Sequence, residues 1–156
     1  MRSKKINHIS LKQISKIIFI DGFPRSGKSV LSGIIPCFDG VENIKFLTIL
    51  EHILPGLRFK SIKKDFAKSL ITTYLNEYCY ESYIGRNLNF RKNEQSSIYE
   101  YYKPREYRDR LKIPDGSKAV KKISKKQTTF LFQTHDVISN YKYFEDLKLD
   151  CKIIEL

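Results

Sequence analysis

Residues Gly22-Phe23-Pro24-Arg25-Ser26-Gly27-Lys28-Ser29 satisfy the pattern G-x-x-x-x-G-K-[ST]. Glycines let such a loop curl until successive backbone N–H groups point inward, and a helix that opens at its far end adds partial positive charge. Arg25 and Lys28 bring full charges, and Ser26 and Ser29 bring hydroxyl donors. Phe23, Pro24, Arg25, Ser26, Gly27, Lys28 and Ser29 are therefore the expected nucleotide-binding residues, holding a phosphate or a sulfate group. The same cradle serves triphosphate hydrolysis, phosphoryl transfer and sulfuryl transfer, so the loop alone does not name a reaction. His135 is the second chemical candidate. An imidazole near its unperturbed pKa of roughly 6.5 can accept a hydroxyl proton at neutral pH, which is the work of a general base. His8 and His52 have no comparable setting. Cys37, Cys79 and Cys151 are odd in number, far apart and without zinc-type spacing, so they read as reduced thiols of a cytoplasmic protein, and no metal is expected.

For these residues to meet, particular elements must position them. Ile17 to Ile20 is a short apolar, β-branched run that suits a buried parallel strand leading into the loop. From Lys28 the apolar residues fall at helical spacing as far as Pro36. Thr128 to Gln133 is a second strand, with Thr134-His135-Asp136 at its C-terminal end. Ligands of open parallel sheets bind beyond the carboxyl ends of the strands, so the loop and His135 are expected on one edge. Between these strands, Glu42 to Leu54 predicts a helix closed by Pro55-Gly56, and Ser61 to about Tyr83 a long amphipathic helix with Ile62, Phe66, Leu70, Tyr74 and Tyr78 on its stripe and Ala67, Ile71 and Leu75 beside them. Gly85 to Gly116 reads as a polar, tyrosine-rich excursion with patchy helix, and Ser117 to Lys126 as a short basic helix. Ile138 to Leu147 predicts a further helix, and Cys151 to Leu156 a last strand. The expected fold class is α/β: a P-loop-type parallel sheet flanked by helices, with a largely helical, basic insert over residues 40–126 between the first two strands. One domain over residues 1–156 is expected, its sheet incomplete because the chain stops on a core strand.

Pro24-Arg25-Ser26-Gly27 after an apolar strand resembles the 5′-phosphosulfate loop of the sulfotransferase family, where Pro-(Lys/Arg)-Ser-Gly-Thr-(Thr/Ser) is usual. FLFQTHD, a helix and then LDCKIIEL are similar to that family's stretch in which one strand ends Lys-Thr-His and the next reads Lys-(Ile/Phe)-Ile-(Tyr/His)-(Leu/Ile). The resemblance covers Ile17 to about Ile35 and Thr128 to Leu156, while Gly40 to Lys126 matches only as a variable helical insert. It implies 3′-phosphoadenosine 5′-phosphosulfate (PAPS) as co-substrate without a metal, a hydroxyl or amine acceptor, His135 as general base, and Arg25 and Lys28 as catalytic donors to the transition state. The family's 3′-phosphate segment would lie beyond Leu156. Two residues depart from the pattern: Lys28 stands where Thr is usual and restores a literal Walker A loop, and Gln133 stands where many members have Lys.

Lys28 and Ser29 also suit the β/γ-phosphates and Mg2+ of a kinase or NTPase, with Asp136 or Glu155 as the acidic partner. A third reading comes from charge. Lys and Arg number 29 against 17 Asp and Glu, a net +12, and residues 101–126 carry ten basic against three acidic groups. Such a chain could be a noncatalytic anion- or nucleic-acid-binding fragment, although no repeated aromatic platform or nucleic-acid motif accompanies the charge, so a solvated basic face is the favoured explanation. In the transferase reading, the basic segment could face an anionic glycan as acceptor. No apolar run approaches the roughly 18 residues of a membrane span.

Overall fold

The computed structural model of the chain describes residues 16–114, 116–124, 128–135 and 137–156. Residues 1–15, the Lys125-Lys126 end of the predicted basic helix and the candidate acid Asp136 lie outside them. Four parallel strands form one sheet in the order β2-β3-β1-β4, with β1 at Lys16–Asp21, β2 at Lys45–Phe46, β3 at Thr129–Gln133 and β4 at Lys152–Glu155. The central strand β1 pairs with β3 from Lys16↔Thr129 to Ile20↔Gln133 and with β4 from Ile18↔Lys152 to Asp21↔Glu155. Its residues are apolar on both sides because both faces are covered by helices.

Alternation divides the core in two. Ile17, Phe19, Phe130 and Phe132 point to one face, where they meet α2 (Leu50–Arg58), α3 (Lys64–Tyr83) and α6 (Tyr141–Asp146) through Leu54, Ile71, Leu75 and Phe144. Phe19 is fully buried, its ring 5.9 Å from Phe132 and edge-on to Phe144 at 5.4 Å. Ile20 and Leu131 point to the other face, where α1 (Lys28–Ile34) and the 3-10 turn Ile35–Cys37 cover them with Leu31 and Ile35. Two further helices, α4 (Pro104–Leu111) and α5 (Gly116–Ser124), complete the described elements of the insert. No helix among the described residues is long and apolar enough to cross a membrane.

The α/β class, the parallel sheet and the flanking helices are as expected. The predicted helix from Glu42 to Leu54 is not. Its first half is extended along β3: Thr129 N–H donates to Gly40 O, Glu42 N–H to Thr129 O and Leu47 N–H to Gln133 O, with β2 between them. The physical cause is the pairing with β3, which a local bond assists. Asn43 Oδ1 accepts from the N–H of Ile44, a side-chain bond that competes with helix, and the extended form buries Ile44 beside Ile20 and Leu131 while Leu47 enters the opposite core. Helix α2 then starts at Leu50 and runs through Pro55, because carrying on to Arg58 packs Leu57 on the core that Leu54 already occupies.

Candidate functional site

The loop after β1 is built from its own turn chemistry. Pro24 and Arg25 form the middle of a turn closed by Ser26 N–H to Phe23 O at 3.2 Å, and Arg25 takes the φ of +65° that a type II turn demands at its third position. Gly27 follows at φ +97° as the residue before α1, and a Cβ there would meet nothing within 4 Å. Glycine is thus required for its backbone and not by neighbouring atoms, and the space in front of it is open. Gly22, at φ +147°, is required for its backbone and for space as well: a Cβ would lie 2.1 Å from the backbone oxygen of Leu156, where the ends of β1 and β4 press together.

Lys28 is only 7% exposed, and its ammonium is turned onto the loop, donating to the carbonyls of Gly22 and of Phe23, the latter at 2.7 Å. Two of its three N–H groups are so used and one is left. Arg25 and Ser29 are exposed, and Phe23 projects from the loop at 64% exposure. The Ser26 Oγ is buried and has no hydrogen-bond partner among the described residues.

His135 is exposed at the end of β3, and the turn that carries it is anchored from β1. The carboxylate of Asp21, fully buried, accepts from Thr134 Oγ1 and from the N–H groups of Val137 and Ile138, both at 3.1 Å, while Thr134 N–H donates to Ile20 O at 3.0 Å. The carboxylate thus sits at the start of the 3-10 turn Ile138–Asn140, where negative charge and free N–H groups match. In this way the residue that ends β1 fixes the turn next to β3.

A cavity of about 400 Å³ is lined by Pro24, Arg25, Gly27, Lys28, Ser29, Gln133 and His135. It joins the loop and His135 as expected from their strands, and leaves Phe23 and Ser26 off its wall. Its described lining contains two cations, a hydroxyl and an amide but no carboxylate, a donor set suited to an oxyanion. Two contributors carried weak signals in the sequence and a third carried none. Asp21 was visible only as an acid ending an apolar run, and Gln133 only as a departure before Thr134-His135. Gln95, whose side chain donates to Ser29 O at 3.1 Å, belongs to an unpatterned loop and gave no sign at all. The candidate acid Glu155 is exposed at the end of β4 and does not line the cavity.

Compared with protein-family models, curated proteins and solved structures, the chain matches none of them.

Proposed function

We propose that this chain binds the 5′-phosphosulfate of PAPS in the cavity between the Gly22–Ser29 loop and His135, and that it transfers the sulfuryl group to a hydroxyl or amine acceptor. The observation that carries this reading is the single cavity wall shared by Arg25, Lys28, Ser29 and His135. An acceptor oxygen or nitrogen would attack sulfur in line and form the new S–O or S–N bond. The bond from sulfur to the bridging phosphate oxygen breaks, and adenosine 3′,5′-bisphosphate leaves. His135 would take the acceptor's proton. Charge gathering on the bridging oxygen would be met by Arg25 and by the N–H of Lys28 that its bonds to Gly22 and Phe23 leave over.

A radiolabelled sulfate-transfer assay against a panel of phenols, alcohols, amines and anionic glycans tests the reading. Transfer by the chain that His135→Ala abolishes, with nucleotide binding nearly intact, supports it; unchanged transfer by His135→Ala removes the histidine as base. A second reading, ATP with Mg2+ bound for phosphoryl transfer, draws on Lys28 and Ser29 facing the same cavity. It would prevail if ATP with Mg2+ bound more tightly than adenosine 3′,5′-bisphosphate. Binding only of long polyanions, lost at modest salt and without any nucleotide affinity, would favour the noncatalytic reading instead.

A further inference from the structure

Gln133 closes β3 on the face that α1 covers, is 5% exposed, and lines the cavity with Arg25, Lys28 and His135. Its Oε1 accepts two hydrogen bonds, from Ser32 Oγ at 2.9 Å and from Gln95 Nε2 at 3.2 Å. The same Gln95 Nε2 donates to the backbone carbonyl of Ser29 at 3.1 Å. The two ends of a carboxamide are alike in shape, so their sense has to be deduced from partners. A backbone carbonyl can only accept, which makes the end of Gln95 at Ser29 the NH2 group. That NH2 also meets Gln133, so the Gln133 atom there must be the oxygen. Gln133 Nε2 is then the remaining end, and it donates to nothing among the described residues.

We propose that Gln133 Nε2 is a direct donor to an oxygen of the bound phosphate or sulfate group, and that Gln95 is the positioning residue that keeps this donor facing the ligand. The proposal rests on the anion-binding reading of the cavity and adds to it a recognising residue and a role for the insert. One backbone carbonyl, that of Ser29 in the first turn of α1, sets the sense of Gln95, which sets the sense of Gln133. The site thus holds a neutral donor, reserved for atoms that accept, beside the cations Arg25 and Lys28. Ordering the 95–97 loop and ordering the ligand's donor become the same event, since Asn43 Nδ2 ties that loop to the extended segment through Ser96 O and Ser97 O at 2.9 and 3.1 Å.

Calorimetry with inorganic pyrophosphate and with adenosine 3′,5′-bisphosphate on the 156-residue chain tests it. Gln133→Met, which keeps the size and loses the donor, should weaken binding about 10-fold, and Gln133→Glu, which puts an anionic acceptor there, about 100-fold or more. Gln95→Glu sets a carboxylate against Gln133, whose NH2 then turns toward it and its oxygen toward the ligand. Affinity should fall by a similar order although residue 95 touches no anion. A merely structural role is separated by the amide NMR spectrum of the unmutated chain: the Gln133 side-chain NH2 pair, identified by its loss in Gln133→Met, should shift on adding pyrophosphate. An unmoved pair at saturation overturns the proposal even if the variants fold poorly. Wild-type affinity in Gln133→Met and Gln133→Glu, together with loss in Lys28→Ala, overturns it and leaves the anion site standing. Absence of binding to either anion by the unmutated chain overturns both.

Discussion

Arg25 occupies a left-handed backbone position, φ +65°, that costs a non-glycine residue about 1–2 kcal/mol. A strained residue at a ligand-facing turn is a reason to look for a role, and the guanidinium at the cavity wall supplies one. Arg25→Gly should therefore leave stability within about 1 kcal/mol, relief of strain offsetting the looser unfolded chain, while weakening adenosine 3′,5′-bisphosphate binding at least 10-fold. Paired thermal melts and calorimetry check this; destabilisation beyond about 2 kcal/mol would show that the arginine serves the fold. Asp21 makes the contrasting case. Its carboxylate accepts from one hydroxyl and two N–H groups in a fully buried place, so Asp21→Asn, which turns an NH2 toward donors, should cost about 1–3 kcal/mol. Because those bonds hold the turn on which His135 sits, transfer should fall along with stability. Denaturant titration measures the first effect and the transfer assay the second.

At the scale of elements, a buried ion pair ties α4 to the extended segment that runs along β3. Arg110 of α4 grips Glu42 with two nitrogens, at 2.6 and 2.8 Å, and donates to Ser82 O at the end of α3. Tyr107 donates to the same Glu42 at 2.7 Å and lies under the guanidinium, 4.6 Å from its ring centre. Removing one partner strands the other charge, so Arg110→Met should cost about 3–5 kcal/mol, whereas Glu42→Leu with Arg110→Met should recover much of that loss. Chemical denaturation of the single and double variants decides; a single variant as stable as the parent would mean the pair does not hold the insert. How far these elements could be read beforehand follows from their physics. Strands β1 and β3 were legible because both of their faces are apolar, and α3 because apolar residues recur every four positions, although the face it buries is Ala67, Ile71, Leu75 and Cys79 while Phe66 of the expected stripe is exposed. The extended 40–47 segment was not: Ile44, Leu47 and Leu50 mimic a helical face, and only pairing with distant β3 decides otherwise. The loop and His135 were legible as residue types on adjacent strands. Gln95 and Asp21 act through long-range bonds that no local pattern announces.

Across the whole molecule, the net charge of +12 survives every internal ion pair, since each pair uses one charge of either sign. Lys103 meets Asp39, Lys112 meets Asp109, Arg91 meets Glu94 and Arg110 meets Glu42. Arg25 and Lys28 at the cavity have no such acidic partner among the described residues, which concentrates attraction for an anion there. Burial also sets the alkaline limit of the fold. It pushes the Cys79 thiol and the Tyr101 and Tyr107 phenols above their ordinary values of 9.0 and 10.0, with the Glu42 charge adding to the effect. In the unfolded chain these groups ionise at the ordinary values, so their contribution is complete below about pH 9 and is lost as pH rises beyond it. Lys45, drawn below its ordinary value by burial, acts in the opposite sense, while the Tyr78 phenol and the Cys151 thiol, both raised by burial, act with the other three. Melting temperature should accordingly fall from pH 9 to 11, and a flat profile would contradict the buried tyrosine and cysteine cluster.

The central claim is that the cavity between the loop and His135 holds the phosphosulfate end of a nucleotide. Titration calorimetry of the chain with adenosine 3′,5′-bisphosphate, beside ATP with Mg2+, tests it most directly. Saturable binding of the bisphosphate in preference to ATP, lost in Arg25→Ala and Lys28→Ala and retained in His135→Ala, is the result expected. No binding of the bisphosphate, or binding that survives both loop substitutions, would contradict it.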